Sequence, residues 1–329
     1  MNLYTSVELP GDLPKWSHCD GLMLLGSCFT THMGERLAAC KFRCDTNPYG
    51  ILYNPLSIAV AIREIWSGKR YGEADLYQHA GCWHSAMHHG DFSAASSDEV
   101  LKRINDRLEQ ADSEIRGIGG LLLTFGTAWE YEDRETHRVV GNCHKLPEKC
   151  FVRRKLSVEE IVSAYVPLLE MMWKVHPSLQ VLFTVSPIRH IRDGLHANQL
   201  SKGTLLLAID ALQRRYPQQV GYFPAYEILM DELRDYRFFA ADMVHPSDVA
   251  VEYVWEKFVQ SVFSLETQQL MKECLEIGKM LSHKPFHPDS AEYKRFLGQI
   301  VLKIDRLNRK CPYLDFEKER EICRTRLNI

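Results

Sequence analysis

Four short, almost wholly apolar runs constrain the fold of this chain most: residues 22–25, 121–125, 181–185 and 220–223. Each stops at a turn-forming or small polar residue, in turn Gly26, Gly126, Ser186-Pro187 and Pro224. A strand that is apolar on both faces has to be covered on both faces, which describes a mostly parallel sheet held between helices. The intervening stretches carry the helix signals such a fold needs. Asn54-Pro55 precedes Ile58, Ile62, Ile65 and Trp66 on one helical face, and Ser157-Val158-Glu159-Glu160 is a capping box ahead of 161–175. Val100, Ile104 and Leu108 continue a second apolar face, and further helices are read over 201–214, 226–234 and 249–263. Residues 265–329 offer no strand. Their helix patterns at 265–281 and 293–307 predict a helical extension packed on an α/β domain of residues 1–264.

The charge balance excludes several classes of partner. A formal net charge of −3 gives no case for nucleic acid or an anionic membrane surface. No apolar stretch reaches the roughly 18–20 residues that a bilayer span requires, and the start, Met1-Asn2-Leu3-Tyr4-Thr5, lacks the basic and apolar regions of a signal peptide. Ten cysteines without a Cys-x-x-Cys pair read as reduced thiols, so the expectation is a cytoplasmic protein with no zinc site. No Gly-x-Gly-x-x-Gly or Walker-type loop follows any apolar run, and no cofactor is expected. The run Arg153-Arg154-Lys155 is read as a solvated loop.

Two segments carry nucleophile chemistry. In Gly26-Ser27-Cys28-Phe29 a serine sits where the first apolar run turns into a helix, at the carboxyl edge of the sheet and at the positive end of a helix dipole. Serine is a poor nucleophile near neutral pH. It needs an imidazole to take its proton and a carboxylate to orient that imidazole. Asp242-Met243-Val244-His245, ahead of a helix that Ser247 would cap, offers both groups from one loop. Cys28, one residue further on, is the competing nucleophile, and its side chain is expected to point into the core. Arg189 and His190 follow the third apolar run, where Arg189 could hold an anionic group or acyl carbonyl of a substrate or pair with a neighbouring helix. His79, His84, His88 and His89 crowd one loop region. Their irregular spacing argues against a metal site, so the region is read as a border of the cleft with His88 and His89 placed to touch substrate.

Several further segments accompany these: Asn47-Pro48-Tyr49-Gly50, Tyr53-Asn54-Pro55, Trp83-His84-Ser85, Gly126-Thr127-Ala128-Trp129, Asn142-Cys143-His144-Lys145, Thr184-Val185-Ser186-Pro187-Ile188-Arg189-His190, and Asn198 with Ser201-Lys202. Together with Gly26-Ser27-Cys28-Phe29 and the Asp242/His245 pair, they make the chain resemble the GSCFA family, grouped with the SGNH-type hydrolases. Thr30 stands where the family name has alanine. The resemblance implies a three-layer α/β/α fold and ester hydrolysis by Ser27, His245 and Asp242. It also implies an oxyanion hole made from the serine N–H, a glycine N–H and an asparagine side chain. Gly50 matches the glycine. Asn142 is the candidate asparagine, with Asn47, Thr127 and Trp129 as rival donors. The implied substrate is a small acyl ester or an acylated glycan, and the alternatives are an O-acyltransferase or a binding module on the same scaffold.

Overall fold

The computed structural model describes residues 5–327; residues 1–4, on which part of the signal-peptide reading rests, lie outside them. The chain starts β1 (Gly21–Gly26), α1 (Cys28–Ala39), β2 (Cys44–Thr46), α2 (Pro55–Trp66), then a hairpin of β3 (Leu76–His79) and β4 (Cys82–Ser85) and α3 (Ser97–Ile115). It continues with β5 (Ile118–Phe125), a small antiparallel sheet of β6 (Trp129–Asp133), β7 (Val139–Val140) and β8 (Phe151–Lys155), then α4 (Val158–Val175), β9 (Gln180–Val185) and α5 (Leu195–Arg215). β10 (Val220–Phe223), the short α6 (Ala225–Glu227), α7 (Asp248–Val262), α8 (Leu265–Ser282), α9 (Ala291–Lys310) and α10 (Glu317–Leu327) complete it.

The central sheet has the order β10-β9-β5-β1-β2, and every pairing in it is parallel. Alternation along each strand divides the core into two layers. Met23, Leu25, Leu121, Leu123, Val181 and Phe183 pack under α2–α5. Leu22, Leu24, Leu122, Leu182 and Phe223 face α1 and α7. The fold is thus three-layer α/β/α with a mostly parallel sheet. Counted in order of occurrence the strands run 2-1-3-4-5, which puts a topological switch between β1 and β5, and ligand sites of open α/β sheets sit at the carboxyl end of such a switch.

All four apolar runs are strands of this sheet. The predicted capping box at Ser157 is present, with Ser157 Oγ accepting from Glu160 N–H at 3.2 Å and Glu160 accepting from Ser157 N–H at 2.8 Å. Arg153-Arg154-Lys155 is not a solvated loop but most of strand β8. Arg153 lies over the Trp129 ring at 4.2 Å and Arg154 pairs with Glu130 at 2.5 Å, so these cations complete an antiparallel sheet rather than a loop. Trp66, Trp173 and Trp255 are buried as expected. The C-terminal helices α8–α10 form a cluster of their own around Ile277, Leu297, Ile300, Ile304 and Phe316, and Lys41 reaches Glu319 of α10 at 2.7 Å. Among the described residues no helix is long and apolar enough to cross a membrane.

Candidate active site

The turn from β1 into α1 exists because position 26 is glycine. Gly26 has φ +150°, and a Cβ there would lie 2.3 Å from the Thr124 carbonyl oxygen on the neighbouring strand. Asn47 braces the same turn: its Oδ1 accepts from Gly26 N–H at 2.9 Å, and its Nδ2 donates to Thr31 Oγ1 at 3.1 Å. Leu52 N–H adds a bond to the Gly26 carbonyl at 3.1 Å. Gly26→Ala is therefore expected to destabilise the fold by about 2–6 kcal/mol, the sum of overpacking and backbone strain at about 1–3 each. Urea titration of the variant checks this.

Ser27 occupies the N-cap of α1 yet does not cap it. Serine at this position normally accepts from the second or third helical N–H. Here its hydroxyl is buried without a hydrogen-bond partner among the described residues. The hydroxyl is thus uncommitted, whereas in the first turn of α1 the Thr30 N–H already bonds the Ser27 carbonyl at 2.8 Å.

The Asp242–His245 loop is built to fix one ring. Asp242 Oδ1 accepts from the N–H groups of Val244 and His245, each at 2.9 Å, and Oδ2 accepts from His245 Nδ1 at 2.5 Å. The backbone bonds from His245 and Val244, then the imidazole, hold the carboxyl down at about 2. Met243 absorbs the tight bend with φ +58°, and Ser247 caps α7 immediately after. With Nδ1 committed to Asp242, Nε2 is the ring nitrogen left to act as base.

Ser27 and His245 line one cavity of about 540 Å³ at the switch point. No hydrogen bond joins Ser27 Oγ to the ring. In ligand-free sites such bonds are commonly long and close when substrate binds. Asn142 lies on the same wall, its Oδ1 tied to His144 N–H at 2.9 Å, which leaves Nδ2 as a free donor. Asn54, read from sequence only as a helix cap, has the same arrangement: Oδ1 accepts from Ser57 N–H at 2.8 Å and Nδ2 is unused at the cavity. The sequence signal for it was present, because a capping carboxamide keeps its amine free on the side away from the helix.

Other site expectations are corrected by geometry. Gly50 does not reach the cavity: its N–H donates to the Asn47 carbonyl at 2.7 Å, and its missing Cβ makes room for His89, whose own Cβ would lie 2.2 Å from it. Thr127 does line the cavity, but its hydroxyl is shared with Ser201 Oγ and Trp129 N–H, both at 3.1 Å, and its N–H serves the Tyr53 carbonyl. Cys28 is on the cavity wall rather than in the core, and burial raises its thiol, which keeps it protonated and weakly nucleophilic. Arg189 and His190 both line the cavity.

His88 and His89 do not line it. His88 is fully buried, stacked on Tyr49 at 4.3 Å and bonded through Nδ1 to Ser85 Oγ at 2.9 Å, while His89 sits beside Asp91 at 3.0 Å. Burial pushes His88 down to about 3, and burial followed by the nearby Lys202 ammonium pushes His190 down to about 4. Both rings are neutral in the folded protein, whereas in the unfolded chain each takes up a proton below about pH 6.5. Their contribution is present above that pH and is lost as pH falls toward the folded values, by up to about 1.4 kcal/mol per pH unit for each ring. Urea midpoints are expected to drop steeply between pH 6.5 and 4.5, and His88→Gln should flatten the slope.

Sequence reading gave no role to Asn198, Ser201 and Lys202, which share a face of α5. Asn198 Oδ1 accepts from His190 N–H at 2.9 Å, and Ser201 Oγ accepts from Ala128 N–H at 2.8 Å. Lys202 Nζ donates to the carbonyls of Gly126 and Ser186, each at 2.7 Å. One helix face thereby ties together the loops after β5 and β9 that wall the cavity. Burial lowers Lys202 to about 7.

Comparisons with known proteins bear on these segments. The family model described as GSCFA family matches residues 21–258, and that of the GSCFA domain protein, C-terminal domain, matches residues 274–329. No curated protein matches the chain. Among solved structures, an acetyl xylan esterase from the rumen bacterium Butyrivibrio proteoclasticus is similar at 11% identity with a TM-score of 0.36. That match covers 73% of this chain and 63% of the esterase, a likeness too distant to carry chemistry across. The family match takes in the β1–α1 turn, the Asp242–His245 loop and the α5 face between them, and the chain belongs to the GSCFA family.

Proposed function

We propose that this chain is a serine ester hydrolase of the SGNH type, acting on a small acyl ester such as an acylated carbohydrate. The observation that carries the reading is the shared cavity: Ser27, with its buried and unpartnered hydroxyl, and His245, with its imidazole locked to a carboxylate, line the same space at the switch point of the sheet. In the proposed reaction His245 Nε2 takes the Ser27 proton as Oγ attacks the ester carbonyl. The resulting oxyanion is held by the Ser27 N–H at the start of α1 and by the Nδ2 groups of Asn142 and Asn54. His245 then returns the proton to the departing alcohol oxygen, and water, deprotonated by the same ring, releases the acyl group from Ser27. Asp242 keeps the ring in the tautomer with Nδ1 protonated. The serine-early, Asp-x-x-His-late order of the chain supports the SGNH placement.

Turnover of 4-nitrophenyl acetate by the purified protein tests the reading. Saturable release of nitrophenolate that the Ser27→Ala protein lacks is the expected result. Release at equal rates from both proteins would reject it.

A further inference from the structure

Charge on the cavity wall is unevenly matched. Three arginines line it, Arg153, Arg189 and Arg192, against one acidic residue, Asp193, and Arg189 together with Phe239 also lines an adjoining cavity of about 110 Å³. Arg153 holds Asp193 through two bonds of 2.7 and 2.5 Å, and Arg192 is neutralised from outside by Glu148. Among the described residues Arg189 pairs with no carboxylate. Its guanidinium lies on the ring of Phe239 at 4.6 Å, its single hydrogen bond goes to the Met243 carbonyl at 3.3 Å, and its Nε is buried without a partner. Behind the same wall Lys202 Nζ has, among the described residues, two backbone carbonyls as its hydrogen-bond partners. A half-buried guanidinium with unused donors and no carboxylate partner is matched best by a ligand oxyanion that takes two parallel N–H bonds.

The position of Arg189 says which half of the substrate carries that anion. Met243 belongs to the Asp242–His245 loop, so Arg189 is tethered to the base. On the hydrolase reading, on which this step rests, His245 hands its proton to the departing alcohol oxygen, and groups fixed beside it face the alcohol part. We propose that Arg189 recognises a negatively charged group, a carboxylate, phosphate or sulfate, on the alcohol part of the ester. The substrates of this site are then acyl esters of anionic alcohols.

The test is calorimetric titration of the full-length protein with two alcohol-part probes, 4-hydroxybenzoate and its neutral counterpart 4-hydroxybenzamide. The carboxylate is expected to bind at least about tenfold more tightly at low salt, as a charge-assisted pair in a half-buried site implies. That preference should shrink to within about twofold in Arg189→Met and survive in part in Arg189→Lys, which keeps the charge but loses the fork. Equal affinities in the wild type, failure of the carboxylate to bind, or a preference that persists in Arg189→Met would each overturn the proposal. The wild-type comparison needs no variant to fold. It also needs no turnover, so a failed hydrolase reading shows itself separately, as absent nitrophenyl ester cleavage with the carboxylate preference intact.

Discussion

Ser27→Ala and His245→Ala are each expected to lower kcat for a short nitrophenyl ester by at least about a hundredfold, with losses up to about a millionfold where the triad acts as a unit. The two losses should not add, because removing either partner disables the same proton transfer. Neither substitution should cost much stability. The Ser27 hydroxyl makes no hydrogen bond that alanine would break, and the His245 ring is half exposed on a surface loop. Normal urea midpoints together with abolished turnover would separate a chemical role from a structural one. A fold-wide loss of stability in Ser27→Ala would instead mark the serine as a turn residue.

The second large effect is expected at the two carboxamides. Loss of one oxyanion donor typically lowers kcat by about 10²–10³-fold with little change in KM, because the bond strengthens as charge develops on the carbonyl oxygen. Asn142→Asp and Asn54→Asp are the informative variants. In each, the carboxylate still accepts the backbone N–H that the asparagine now holds, His144 in one case and Ser57 in the other, while the donor is gone. Stability should stay near that of the wild type as kcat falls. Alanine at position 54 would confuse the two effects, since the α2 cap itself is worth about 1 kcal/mol. Steady-state kinetics on both Asp variants, with urea titrations alongside, decide how many donors the site uses.

The parts of this fold that could be read from sequence are those where one residue type has a single structural meaning. The apolar runs ending at Gly26, Gly126, Pro187 and Pro224 could only be buried strands, and they form four of the five central strands. β2 was missed because its three residues, Cys44, Asp45 and Thr46, are too few and too polar to show a pattern. The antiparallel strands β6 and β8 were hidden for another reason: they carry Glu130, Arg153 and Arg154, whose pairing across space looks like solvated charge along the chain. Helix α10 buries only Cys323 among its own residues, so no apolar face announced it.

The site divides along the same line. Ser27 and the Asp242–His245 loop were legible because local backbone geometry fixes them: a Gly-Ser turn after a strand, and an Asp whose carboxylate caps its own loop. Gly50 and His88 were misplaced because sequence adjacency to the motifs says nothing about direction. Gly50 faces His89, and His88 turns inward to stack on Tyr49. Lys202 belongs to a segment that carries the family resemblance, but nothing in the sequence indicated its role. Its meaning lies in two carbonyls 76 and 16 residues away, and backbone acceptors are invisible in a sequence.

The central claim is that Ser27 is an activated hydroxyl, and mapping the adduct of a neutral fluorophosphonate tests it most directly. The reagent loses fluoride as Oγ bonds to phosphorus, and His245 takes the hydroxyl proton, so peptide mass spectrometry reports both the site and its activation. The account predicts one phosphonylated peptide with the modification on Ser27, and none in the His245→Ala protein. A modification on Cys28, an adduct on Ser27 that forms as fast without His245, or no adduct in the intact protein would contradict it.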